Sequence, residues 1–357
     1  MKSYTNILVT GGCGFIGSNF IRRLYRNYPH YRITNLDALT YAGNPENLSD
    51  IESKEAGLGD EQRKYRFVRG DICDTVLLDG LFRQGKFDLV VHFAAETHVD
   101  RSHFEVADFI RTNIEGTRCL VETFRKFRVP RFVHISTDEV YGSIAHGASA
   151  HEESPFRPSN LYSTSKAGGD MLVQSMMKVY NIPAVIVRGS NNFGPFQYPE
   201  KLIPLTISNM IEGVKIPIHG SGEHVRSWLH VEDFCSAVDM IAHCAPDHAI
   251  YNVSGDERTN LEVIGMVAKT LGKNIDEYRH HRPDRPNADL RYAPDSTKLQ
   301  RDLGWSRSHQ IEDSIAAVVA WYAHNEEWWR KIKKSSAFLD YYSKQANAEW
   351  DAPSRLE

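Results

Sequence analysis

A short apolar strand pattern, Ile7-Leu-Val-Thr10, runs straight into Gly11-Gly-Cys-Gly-Phe-Ile-Gly17 and then into an amphipathic segment over 18–28. Few chains can satisfy strand, glycine turn and helix in that order. Glycines there let the backbone turn tightly and approach a pyrophosphate, whose charge is favoured by the free N–H groups and positive dipole end of the helix. The turn therefore offers Gly11, Gly14, Phe15, Ile16 and Gly17 to a dinucleotide. A second strand pattern over 32–36 ends in Asp37, at about the twenty-residue spacing of a carboxylate that bonds the adenosine ribose hydroxyls. An acid at that place repels a 2′-phosphate, so the expected cofactor is NAD rather than NADP.

Further strand runs follow at 65–68, closing on Gly70-Asp71-Ile72, and at 88–93, closing on Ala94-Ala95. Each ends where a dinucleotide would lie. Asp71, beside Ile72, suits the adenine amine, and Ala94 and Ala95 are small enough to let the backbone pass close to the cofactor. Between the strands, 75–85 and 106–127 carry helical spacing, the second through Ile110, Ile114, Leu120 and Phe124. With strand patterns at 131–135 and 184–188, the alternation predicts an α/β fold: a doubly wound parallel sheet of Rossmann type, with a smaller C-terminal substrate domain.

The strand over 131–135 delivers Ser136-Thr137-Asp138-Glu139 to its carboxyl end, the edge where open parallel sheets bind ligands. Some twenty residues on, Tyr162 and Lys166 stand four apart on a helical pattern, so both project from one face. Two adjacent carboxylates with a Tyr/Lys pair make a candidate proton-transfer site.

After Arg188 the texture turns to Pro- and Gly-punctuated loops, and a short strand pattern at 250–253 is expected to return to the sheet. The expected domains are 1–188 with a returning segment at about 229–256, which binds NAD, and 189–228 with 257–357, which binds substrate. The tail carrying Trp321-Tyr322 and Trp328-Trp329 reads as one aromatic-packed helix. A net charge of -4 argues against a general nucleic-acid or membrane-surface binder. No signal-peptide pattern and no bilayer-length apolar run is seen, so a cytoplasmic location is expected. Five scattered cysteines lack metal-type spacing and are expected to be reduced, with no disulfide and no metal.

Taken together, Gly11-Gly-Cys-Gly-Phe-Ile-Gly17, His98-Val-Asp-Arg-Ser102, Thr137-Asp-Glu-Val-Tyr-Gly142, Tyr162-Ser-Thr-Ser-Lys166 and Ser190-Asn-Asn-Phe-Gly-Pro-Phe-Gln-Tyr-Pro-Glu-Lys-Leu-Ile-Pro204 resemble the extended short-chain dehydrogenase/reductases. Within them the chain is similar, over nearly its whole length, to nucleotide-sugar 4,6-dehydratases of the dTDP-glucose 4,6-dehydratase type. Sugar-nucleotide epimerases and decarboxylases share the glycine turn and the Tyr/Lys pair but as a rule lack the acid at Asp138. The resemblance implies that Tyr162, as phenolate, takes the proton of the glucosyl 4-hydroxyl while C4 gives a hydride to NAD, with Lys166 on the nicotinamide ribose and Thr137 on the 4-oxygen. It implies that Glu139 removes the C5 proton while Asp138 protonates the departing 6-hydroxyl. The hydride then returns to C6, and Asp138 or its solvent contact helps return a proton to C5.

For the nucleotide diphosphate the resemblance implies Arg226 and Arg285 as phosphate clamps, with His98, Asn191, Glu200, Lys201 and Asn260 lining the sugar and base pocket. It also implies a homodimer that pairs the helices over 106–127 and 162–180. Two departures are plain: the usual Arg-Pro-Gly-His-Asp reads Arg285-Pro-Asn-Ala-Asp289, and the usual Val-Arg-Asp-Trp reads Val225-Arg-Ser-Trp228. Ala288 removes a polar contact on the phosphate side and leaves dTDP and UDP both open as nucleotide. A sugar-nucleotide epimerase or decarboxylase, and a non-catalytic NAD-sensing relative, are the alternative readings.

Overall fold

The computed structural model describes residues 2–59, 61–285 and 287–346. Its strands, in chain order, are β1 (Asn6–Thr10), β2 (Arg32–Asp37), β3 (Tyr65–Arg69), β4 (Leu89–His92), β5 (Phe132–Thr137), β6 (Ala184–Gly189), β7 (Asn191–Phe193), β8 (Ile216–His219), β9 (Val225–His230), β10 (Ile250–Val253), β11 (Asp256–Thr259) and β12 (Arg279–Arg282). Seven form one sheet in the order β10-β6-β5-β4-β1-β2-β3, with every pair parallel. This is the doubly wound sheet that the alternation predicts, and β10 returns to its edge with Ile250 opposite Ile186.

β4, β5 and β6 are buried at every position, as strands covered on both faces must be. Their side chains alternate between two cores. Val9, Val91, Val133 and Val185 enter one, against the helices Phe15–Asn27 and Val231–Cys244. Leu8, Val90, Phe132 and Ala184 enter the other, with residues of the helices Thr75–Gly85, Thr117–Lys126 and Leu161–Tyr180. A third core lies outside the sheet: Phe193, Ile207, Trp228, Val263, Ile315 and Trp329 pack around the small sheet β11-β9-β7 and the pair β12-β8.

Three local expectations change. The first helix starts at Phe15, earlier than the apolar pattern indicates, because Gly14 takes the cap position with extended backbone and no capping side chain. The helical stretch 106–127 is interrupted: α-helical Val106–Ile110 passes into a π-helical turn, Arg111–Gly116, before Thr117–Lys126 resumes. Buried Asn113 anchors the turn. Its amide accepts from Glu96 N (2.9 Å), donates to Glu96 O (2.9 Å) and to Ser165 Oγ (2.8 Å), and its carbonyl accepts Thr117 Oγ1 at 2.8 Å. Finally, the aromatic tail is two helices, Ile311–His324 and Glu326–Lys333, broken at Asn325, with the fully buried Trp329 donating Nε1–H to Tyr322 O at 2.8 Å.

The helix Leu161–Tyr180 is fixed at both ends of its functional half. Asn160 accepts from Ser163 N while Ser163 Oγ accepts from Asn160 N, a capping box that sets where the first turn begins. Further along, Arg188 of β6 donates to both carboxylate oxygens of Asp170 at 2.9 and 3.1 Å, with both side chains out of solvent. Arg188 also reaches Tyr141 Oη and Glu152 O. All five cysteines are free thiols. Among the described residues no helix is long and apolar enough to cross a membrane.

Candidate active site

At the carboxyl end of β1, Gly11 has φ +72, and a Cβ there would meet Ala94 N at 2.6 Å; at Gly17 a Cβ would meet Gly11 O at 2.2 Å. The turn is therefore pressed between β4's continuation and its own helix, and the uncapped N–H groups of Phe15, Ile16 and Gly17 open onto a cavity of about 310 Å³. Asp37, ending β2, lines the same cavity. Its oxygens accept Cys13 N (2.9 Å) and Leu39 N (2.8 Å), which fix the carboxylate, while burial pushes its pKa up against those two bonds. Asp71, Ile72, Ala94 and Ala95 complete this wall. Asp71 is not free for an amine alone: its Oδ2 pairs with Arg111 at 2.7 Å and its Oδ1 accepts Cys73 N.

The same cavity runs on to Thr137, Asp138, Glu139, Tyr162 and Lys166. β5 ends at Thr137, whose hydroxyl caps a single 3-10 turn, Asp138–Tyr141, by accepting Glu139 N at 3.3 Å. Thr137 Oγ1 donates to Asp138 Oδ1 at 3.4 Å, and the Thr137 hydroxyl acts to lower the Tyr162 phenol against its burial. Burial, and next the charge of Glu139, hold the Asp138 carboxyl well above its usual range. Burial raises Glu139 too, but Arg226 and Lys201 oppose it. Two neighbouring carboxyls are thus pushed apart, the arrangement that lets one serve as acid and the other as base.

Tyr162 differs from the expectation of a ready phenolate. Burial first, then the charges of Glu139 and Asp138, push the phenol up, and Lys166 Nζ is committed to Ile135 O at 2.7 Å. Burial brings Lys166 itself down to about 8. The protein's own groups therefore favour a protonated Tyr162.

A second cavity, of about 200 Å³, opens from the first and shares Glu139, Asn191, Glu200 and Lys201 with it; His98, Arg226, Asn260 and Arg285 line its remainder. All the sequence-expected site residues thus fall in two joined spaces. Their partners were not all foreseen. Arg285 is paired with the fully buried Asp100, Glu200 with Arg101 at 3.2 Å, and Arg226 lies 4.3 Å over the Tyr292 ring. His98 Nδ1 meets Tyr341 Oη at 2.9 Å, and Lys201 Nζ donates to Thr97 O. Ala288 lines the second cavity, whereas Ser227 accepts the Gly255 N–H and serves the backbone; Pro286 lies outside the described residues. Among the described residues, the side-chain oxygens Asn191 Oδ1, Asn192 Oδ1, Gln197 Oε1 and Glu200 Oε1 are buried without a protein partner, a set of acceptors suited to ligand hydroxyls.

His230, Glu232 and His309 bring possible metal-ligand atoms within 4.8 Å of one another. Their imidazoles stack at 4.3 Å and 24°, so the in-plane lone pairs run side by side and do not converge on an ion.

The family model described as GDP-mannose 4,6 dehydratase matches residues 8–318. A dTDP-glucose 4,6-dehydratase from Streptomyces niveus is 45% identical over 332 residues, covering 92% of this chain and 95% of that protein. The chain belongs to the dTDP-glucose 4,6-dehydratase family. A member from Escherichia coli is 39% identical over 92% of this chain and 97% of its own. The solved structure of a Streptomyces venezuelae dTDP-glucose 4,6-dehydratase, with NAD and TYD bound, superposes with a TM-score of 0.86 at 40% identity, covering 92% of this chain and 99% of that one.

In this member of the dTDP-glucose 4,6-dehydratase family, several site residues escaped the sequence reading. Tyr292 Oη donates toward Glu139 Oε2 (3.2 Å) and Asp289 Oδ2 (2.7 Å), and Asn160 Nδ2 reaches Glu139 at 3.5 Å. Tyr292 and Asp289 come from a loop more than a hundred residues downstream, with no periodicity to mark them. Asn160 had a local signal, as a cap residue just before a helical pattern. Glu96, in the cofactor-side cavity and raised by burial to about 7, had none.

Proposed function

We propose that this chain uses bound NAD to convert dTDP-glucose to dTDP-4-keto-6-deoxyglucose: C4 is oxidised, water is eliminated across C5–C6, and the hydride returns to C6. The observation that carries this reading is the adjacent pair of buried Asp138 and half-buried Glu139 beside Thr137 and Tyr162, in a chain of this family. The glycine cradle, the uncapped helix and the fixed Asp37 carboxylate suit NAD. Gly11, Gly14, Phe15, Ile16 and Gly17 would hold its pyrophosphate, Asp37 the adenosine ribose, Asp71 and Ile72 the adenine, and Lys166 the nicotinamide ribose; Ala94 and Ala95 leave it room. Bound there, the oxidised nicotinamide supplies a hydride acceptor and a positive charge.

Tyr162 takes the O4 proton. A phenol of pKa about 10 needs roughly three units of lowering to work near pH 7, about 4 kcal/mol, and more than that from its raised state here. Lys166, held by Ile135 O, and the positive charge beside it are the sources. Once C4 is a carbonyl the C5 proton is acidic. Glu139, steadied by Tyr292 and Asn160, removes it, and Asp138 protonates the leaving 6-hydroxyl. Arg226 and Arg285 hold the diphosphate, and His98, Asn191, Glu200, Lys201 and Asn260 line the sugar and base pocket.

Deuterium placed at C4 of dTDP-glucose is expected at C6 of the same product molecule, read by mass spectrometry or NMR. Label found back at C4 with inverted configuration would make the protein an epimerase; label lost to solvent would rule out an enclosed hydride. A second expectation concerns the cofactor: the protein should carry NAD when purified and bind NADP far more weakly, because a 2′-phosphate would meet the Asp37 charge. Equal or tighter NADP binding by titration would remove Asp37 from its role.

We further propose a homodimer. Ile110, Met171 and Val179, on the helical stretches over 106–127 and 162–180, are 52%, 57% and 71% exposed, an apolar stripe suited to a copy of itself across a two-fold axis. A monomeric mass by light scattering at micromolar concentration would sink this. The two-part division, 1–188 with 229–256 and 189–228 with 257–357, is a proposal; the sheet core and the outer core follow it for the most part, but Leu299 and Trp305 of the second part pack in the sheet core, and residues 347–357 lie outside the described ones. A cytoplasmic location is likewise a proposal, supported by five free thiols.

A further inference from the structure

The proposed cycle leaves the site in the wrong protonation state. Tyr162 ends with the O4 proton, and one proton has left with the 6-hydroxyl as water. Whichever of Asp138 and Glu139 returns the C5 proton, the carboxyl pair ends one proton short while Tyr162 holds one too many. Every turnover must therefore move a proton from the phenol to the pair, and both ends are buried: Tyr162 is 8% exposed and Asp138 3%.

One residue spans them. Thr137 lines one cavity with the Tyr162 phenol, which its hydroxyl acts to lower against burial, and its Oγ1 donates to Asp138 Oδ1 at 3.4 Å. Glu139 N–H, donating to the same oxygen at 3.3 Å, keeps it in place. Asp138 Oδ2 has no protein partner among the described residues, which leaves that oxygen to the departing hydroxyl and the other to Thr137. Lys166 Nζ, held at Ile135 O, is outside this chain of bonds.

We propose that Thr137 is the bridge through which the site resets itself, passing the proton of Tyr162 directly to Asp138 once the 4-keto product has left. In this step the Tyr162 O–H bond breaks as the proton joins Thr137 Oγ1, and the hydroxyl proton of Thr137 moves to Asp138 Oδ1. The products are a phenolate and a carboxylic acid; no electrons change hands and no outside acid or base is consumed. Burial and the Glu139 charge favour a neutral Asp138 and so draw the proton to the carboxylate; burial also favours the neutral phenol, and a bound oxidised nicotinamide would offset that with its positive charge. The step rests on the dehydratase reading given above.

The test compares single-turnover with steady-state rates of the NAD-loaded protein on dTDP-glucose, at rising formate and imidazole concentrations and constant ionic strength. Wild type and Thr137→Ser are expected to be indifferent to buffer concentration. In Thr137→Val the first turnover should form 4-keto sugar, while later turnovers slow by about a hundredfold, the low end of what a lost positioned proton transfer costs, and recover as buffer rises. A wild type whose steady-state rate climbs with buffer concentration overturns the bridge, as does a Thr137→Val that keeps the wild-type ratio of the two rates. The wild-type arm decides even if the valine variant does not fold. A wild type that makes no 4-keto sugar at all overturns the dehydratase reading instead.

Discussion

Asp138→Asn and Glu139→Gln are each expected to reduce the bound cofactor in a single turnover with dTDP-glucose, and then to stall at different points. Oxidation at C4 needs only Tyr162, Lys166 and the hydride acceptor, so neither carboxyl is required for the rise in reduced-cofactor absorbance. Without Glu139, exchange of the C5 hydrogen with deuterated solvent should be suppressed. Its carboxylate sits between the donors Tyr292 and Asn160, and the nearby charges of Arg226 and Lys201 favour its ionised form. Without the Asp138 acid, exchange remains possible but loss of the 6-hydroxyl slows by about a hundred- to ten-thousand-fold, the range of general acid catalysis. Unaltered C5 exchange in Glu139→Gln would remove it as the base; fast elimination in Asp138→Asn would remove Asp138 as the acid.

The largest stability effect is expected at Arg188. Arg188 and Asp170 have side-chain exposures of 1% and 0%, and removing one member of such a pair typically costs about 3–5 kcal/mol because the other charge is left buried and uncompensated. Arg188→Met should therefore shift the urea midpoint strongly, and since Tyr141 and the Glu152 carbonyl also lose a donor, the shift should fall toward the upper end. Replacing both members, Arg188→Met with Asp170→Leu, should recover much of the loss. A single substitution costing under about 1 kcal/mol would mean the pair does not hold the catalytic helix to β6.

What could be read from residues alone was whatever repeats or recurs locally. The glycine turn, Asp37, the alternating strands and the four-residue step from Tyr162 to Lys166 each have a short-range physical cause, and the structure places them together. The π-helical turn left no mark because Ile110, Ile114 and Leu120 fit ordinary helical spacing; its cause is Asn113 reaching Glu96 and Ser165, contacts 17 and 52 residues away. The lining by Tyr292, Asp289 and Asp100 is equally a matter of which loops meet. The raised Tyr162 phenol was hidden for another reason: burial by the whole site decides it, and no neighbour in sequence reveals that.

The π-helical turn at Arg111–Gly116 also limits how the chain can change in length. An α-helix advances 100° per residue, so deleting one residue there, and letting the turn relax to α geometry, would swing the preceding Val106–Ile110 face by about that angle about its axis. Ile110 would leave its stripe and Asn113 would lose either Glu96 or Ser165. Insertions and deletions in descendants of this sequence should therefore collect in loops such as 142–149, while the phase of this one turn is inherited unchanged.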